Sequence, residues 1–156
     1  MKKMSSLAVC AVLISIWAGS IFSGNAEASE KRGEGVSMRV LWTVSGYVLG
    51  KAPTMAEQEA KALLFKPLDI NETGITFNNK VCKGVTFRRE TVDTAQYLAD
   101  VWQVTPQTLG IDKQEMQVIR TNCDIAGFQE YMRLSDRRLI VPINGVFFFF
   151  EPAVAQ

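Results

Sequence analysis

The chain has 156 residues, no histidine, three cysteines, and 17 basic against 16 acidic side chains. That near balance lacks the basic excess of a nucleic-acid binder. The missing imidazole removes Ser–His and Cys–His dyads, histidine-ligated zinc and the usual general base near neutral pH, so any enzyme must rest on carboxylates, lysine or tyrosine.

The first 28 residues read as an export signal. Lys2 and Lys3 form a positive start, Leu7 to Phe22 is mostly apolar, and Ala26-Glu27-Ala28 offers the small-x-small pattern for cleavage before Ser29. The apolar stretch approaches the length of a short membrane anchor. Ser20, Ser23, Gly24 and Asn25 interrupt it just ahead of the cleavage site, which favours removal and leaves no stable membrane insertion afterwards. Cys10 follows Val9 near the start of the apolar run, the wrong place for a lipidated cysteine. Removing Lys2, Lys3 and Glu27 leaves fifteen basic and fifteen acidic residues, a formal net charge of zero. The remainder divides into a flexible lead-in over 29–37, one domain over 38–152 and a short tail over 153–156. A domain of this size buries about two thirds of its unfolded surface and folds without a metal; no cofactor is called for.

Met38 to Val48 alternates as a first strand, with Val40, Trp42, Val44 and Gly46 on one face, and the glycines at 46 and 50 mark a bend or bulge. Thr54 and Glu57 form a capping box for a helix that Pro67 stops by Phe65 or Lys66. Leu68 to Phe77 reads as a hairpin turning at Asn71-Glu72-Thr73-Gly74. Asn71-Glu72-Thr73 also matches a glycosylation sequon, but the bacterial-type leader favours the turn. Asn78-Asn79-Lys80 turns into a strand over Val81 to Glu90, where Arg89 shares a face with Val85 and Phe87 and is an anomaly there. Thr91 to Trp102 carries apolar residues at helical spacing, with Asp93 in its early turn. Thr105-Pro106 begins a helical turn that Gly110 ends. Strands follow at Glu115 to Asn122 and Phe128 to Leu134.

The last hairpin is the most informative. Asn144-Gly145 is a strong signal for a two-residue turn, because both residues tolerate positive φ. Val146 to Phe150 is apolar at every position, which predicts a central strand covered on both faces. The pattern predicts an α+β domain: an antiparallel, strongly curved sheet or small barrel of seven or eight strands, two helices and one disulfide. Its strand order, with Trp42 near the start of the first strand, resembles the calycins, the lipocalin-like small periplasmic barrels. Position 40 is Val where the lipocalin first-strand motif has glycine. The resemblance implies a barrel and no site residues.

Cys82 and Cys123, an even pair in an exported chain, predict a structural disulfide closing a loop of about 40 residues, worth roughly 3–4 kcal/mol. A redox pair would need the close C-x-x-C spacing. Arg120, Arg133, Arg137 and Arg138 on the last strands, joined by Arg88 and Arg89 if the cysteines pair, could grip a carboxylate or phosphate; alternatively they are solvated strand faces paired with Glu115, Glu130 and Asp136. The phenylalanine run is a core strand or, by alternate residues, the lining of a ligand cavity. Asp69, Glu72, Glu90 and Asp93 do not converge as a carboxylate pair would have to. The expectation is a periplasmic or secreted, non-enzymatic binding module without a metal site. Its candidate binding residues are Trp42, Arg88, Arg89, Arg120 and Arg133. Protein–protein contact with an exported partner, of inhibitor or immunity type, ranks first, and carriage of a small apolar ligand second.

Overall fold

The computed structural model describes residues 40–153. The expected signal over 1–28, the lead-in over 29–37, residues 38–39 and the tail beyond Ala153 lie outside the described residues. Within them the chain forms one antiparallel sheet of nine strands. These are β1 (Leu41–Leu49), β2 (Pro67–Ile70), β3 (Gly74–Phe77), β4 (Lys80–Lys83), β5 (Phe87–Asp93), β6 (Glu115–Thr121), β7 (Glu130–Arg133), β8 (Leu139–Ile143) and β9 (Val146–Pro152). Their spatial order is β4-β3-β2-β1-β9-β8-β7-β6-β5, so β9 occupies the middle, as its unbroken apolar run requires. Asn144 and Gly145 both take positive φ in the two-residue turn that sets Ile143 opposite Val146.

The sheet cannot be flat. Its two edge strands, β4 and β5, are joined by Gly84, Val85 and Thr86 alone. Four Cα steps reach at most about 14 Å, whereas nine strands laid flat span roughly 40 Å. The sheet therefore curls into a half-barrel whose edges meet at this corner. Gly84, at φ 65°, supplies the bend, and Asn122 holds it by accepting from the Thr86 amide and donating to the Gly84 carbonyl. Cys82 on β4 is bonded to Cys123, just past β6, with their Cα atoms 5.6 Å apart. The expected single strand from Val81 to Glu90 is thus two pieces of one bent strand, which is why nine are seen rather than seven or eight.

Alternation along each strand sorts side chains onto two faces. Phe77 on β3 meets Phe150 on β9 at 5.4 Å between ring centres, and Phe128 at 5.5 Å. Non-neighbouring strands touch in this way only on the concave face. Val44, Leu68, Ile75, Ile119, Tyr131, Leu139 and Phe148 belong to the same cluster. The convex face of β6 to β9 carries Met116, Val118, Met132, Ile140 and Phe147, and is covered by the segment from 94 to 111. That segment runs as α2 (Thr94–Tyr97), a π-helical stretch (Leu98–Trp102) and a 3₁₀ turn (Pro106–Leu109). Trp102 lies edge-on to Phe147. Core material on both faces of β9 is what the sequence predicted.

One end of the half-barrel is closed. Ile125 and Phe128 fold in from the loop between β6 and β7, and α1 (Glu57–Ala62) packs Ala60 into the same cluster. Gly127, at φ 84°, crosses so near β8 that a Cβ would stand 2.6 Å from Ile143 and 2.7 Å from the Pro142 carbonyl. Local details depart from expectation for identifiable reasons. Helix α1 is capped at Ala56, whose amide donates to Glu59, because the Thr54 hydroxyl and amide are engaged by the Asn144 carbonyl. Thr91 and Val92 stay in β5 because they pair with Gln117 and Met116, so the helix begins only after Asp93, whose carboxylate caps Gln96. The bulge in β1 falls at Ser45, after which Tyr47 rather than Gly46 continues the concave face, opposite Phe148.

Candidate functional site

Opposite the closed end, the concave face opens into a cavity of about 1260 Å³. Its lining comes from the start of β1 (Val40, Trp42), the β2–β3 turn (Ile70, Asn71, Glu72), the Gly84–Thr86 corner and β5 (Val85, Thr86, Phe87, Arg89). The rest comes from β6 (Ile119), β7 (Tyr131, Arg133), the following turn (Arg137) and β8 (Leu139). The indole of Trp42 is fixed here, its Nε1 donating to the Arg137 carbonyl at 3.2 Å.

Register decides which arginines reach this space. Arg89 pairs with Ile119, Ile119 with Tyr131, and Arg133 with Leu139, so all five side chains share the concave face. Arg88 and Arg120, which face each other across the β5–β6 ladder, have the opposite parity. They border a separate cavity of about 440 Å³ on the convex side. Arg120 is committed there: its guanidinium bonds Glu90 and Glu130, and those two bonds hold its proton more firmly than usual. Glu130 also accepts from the Tyr97 hydroxyl, which burial and that bond push well above the ordinary phenol range. Arg138 pairs with Asp136 at 2.8 Å. Of the five expected binding residues, Trp42, Arg89 and Arg133 therefore meet at the mouth, whereas Arg88 and Arg120 belong to another surface.

The mouth arginines have no such commitment. Among the described residues, Arg89 and Arg133 form no ion pair. Glu72 is the carboxylate that lines the cavity beside Arg89, Arg133 and Arg137. Arg133 also borders a smaller cavity of about 400 Å³ shared with Glu115, Gln117 and Ser135. Tyr131 is 2% exposed. Its phenol is pushed up to about 12 by burial, against the lowering influence of Arg89 and Arg133. Tyr131 was not anticipated as a site residue, although its spacing of two from Arg133 is the available signal.

Near the disulfide, Asp124 Oδ1 lies 3.3 Å from Cys82 Sγ. This grouping does not offer thiolate ligands, because the two sulfurs are bonded to each other. Among the described residues no helix is long and apolar enough to cross a membrane. In comparisons with protein-family models, curated proteins and solved structures, the chain matches none.

Proposed function

We propose that the protein is a non-enzymatic binding module that holds a small apolar ligand in the mouth of its half-barrel, in the manner of lipocalin-like carriers, and that it works outside the cytoplasm. The observation that carries this is the cavity of about 1260 Å³ walled by Trp42, Ile70, Phe87, Ile119 and Leu139. Small-ligand sites are concave, largely apolar, and typically about 300–1,000 Å³, so the mouth is roomy enough for a ligand larger than one aromatic ring. The disulfide agrees with an oxidising compartment. Composition alone ranks protein–protein contact first. The cavity is a specific observation in favour of carriage, so carriage is placed first and protein–protein contact second.

A ligand that binds only the folded state raises Tm by mass action. The purified protein, stripped of bound lipid by hydrophobic resin, is expected to gain Tm with 1-decanol in a concentration-dependent way. Trp42→Ala is expected to weaken that response. A Tm indifferent to decanol and to longer alcohols would overturn the carrier reading.

A further inference from the structure

We infer that the mouth selects ligands with an anionic head, and that Arg89, Arg133 and the Tyr131 hydroxyl form the head-group site for an amphipathic carboxylate or phosphate. The inference rests on the carrier reading and narrows the ligand class.

Three observations converge. Arg89 and Arg133 project from β5 and β7 onto one face and line one cavity, with no carboxylate paired to either among the described residues. On the intervening strand β6, Arg120 by contrast lies between Glu90 and Glu130. The mouth thus keeps its positive charge uncompensated, with Arg137 against Glu72 as the remaining charges on its walls. Second, Tyr131 lines the cavity, and its hydroxyl, which makes no hydrogen bond among the described residues, reaches the open space of the cavity rather than being sealed in the core. A phenol facing the cavity without a protein partner is available to donate to a ligand oxygen. Third, apolar walls border these donors: Trp42, Ile70 and Leu139 come from β1, β2 and β8, and Phe87 and Ile119 from β5 and β6.

An anion with an apolar body fits both halves. Guanidinium groups present forked donors matched to carboxylate and phosphate oxygens, and such charge-assisted bonds are roughly twice as strong as neutral ones. The Tyr131 hydroxyl adds a donor from the floor. A cationic amphiphile would face like charge, and a neutral one would leave the arginines and the hydroxyl as they were.

The test is calorimetric titration of the stripped protein with decanoate, decyl phosphate, 1-decanol and decyltrimethylammonium, each below its micellar concentration. Decanoate or decyl phosphate should bind at least about tenfold more tightly than decanol, and the cation most weakly. The stronger of the two anions identifies whether carboxylate or phosphate is the matched head. Arg133→Gln and Arg89→Gln should each cost the anions roughly tenfold while leaving decanol unchanged. Arg88→Gln, one residue away on the opposite face, should leave every affinity unchanged. Tyr131→Phe should weaken the anions alone. Decanol binding as tightly as the anions, or Arg89→Gln and Arg133→Gln variants that stay folded and keep full anion affinity, would overturn the head-group inference and leave the carrier reading standing. Binding of none of the four would overturn both.

Discussion

Tyr131 is the residue at which packing and chemistry meet most closely. Its ring packs against Phe128 at 5.9 Å between centres, while its hydroxyl belongs to the cavity. Burial raises its native pKa to about 12, above the ordinary value of about 10. The native state therefore prefers the neutral phenol. That contribution to stability is fully present below pH 10 and is lost as pH rises through about 12. With each unit equivalent to about 1.4 kcal/mol, the amount at stake is a few kcal/mol. Urea unfolding of the wild type and Tyr131→Phe at pH 8 and pH 11 should show the wild type losing more stability over that interval. Equal losses in both proteins would mean that the phenol ionises as it does in the unfolded chain. None of this could be read from the sequence, where Tyr131 is one apolar position in a short alternating run. The anomaly of Arg89 beside Val85 and Phe87 could be. What the sequence lacked was the inter-strand register, which alone separates Arg89 and Arg133 from Arg88 and Arg120.

Among the elements, β9 was the most legible. Asn144-Gly145 dictates its turn, and five successive apolar residues dictate two covered faces. Phe148 and Phe150 are fully buried on the concave side and Phe147 is 2% exposed on the convex side, whereas Phe149 is only half-buried. Phe147→Ala and Phe148→Ala should therefore each cost about 3–5 kcal/mol, and Phe149→Ala distinctly less. Denaturant melts of the three variants measure this ranking. A convex-face variant as stable as wild type would remove the 94–111 segment from the core. The elements that misled did so where two patterns overlap. Thr91 and Val92 fit a helical stripe, but pairing with β6 keeps them extended, since a ladder bond and its cross-strand contacts outweigh a weak propensity. Likewise, Val81 to Glu90 looks like one strand because a single positive-φ glycine changes its direction without changing its composition.

At the scale of the whole molecule, the curl depends on the corner where β4 becomes β5. The Cys82–Cys123 bond ties the edge strand β4 to the end of β6 across 41 positions of sequence, and Asn122 bonds the same corner. The Cys82→Ser/Cys123→Ser double variant should lose about 3–4 kcal/mol, read from urea unfolding. Because the corner walls the cavity with Val85, Thr86 and Phe87, its affinity for decanol should fall beyond what the loss of stability explains. Unchanged affinity in a folded double variant would show that the curl holds without the bridge.

The placement of β9 also governs when the sheet can exist. It is the last described strand in chain order, yet it is the middle of the nine, with β1 on one side and β8 on the other. A chain that emerges with its N-terminus leading has two strand sets ready early, β1 to β4 and β5 to β8, joined at the β4–β5 corner but with no strand to bridge β1 and β8. Trp42 finds Pro152, and Val44 finds Phe150, only after everything between has appeared. Joining such distant partners is entropically costly and slow. The sheet can therefore be completed only once the last described strand is available, and the union of β1 with β8 through β9 comes late.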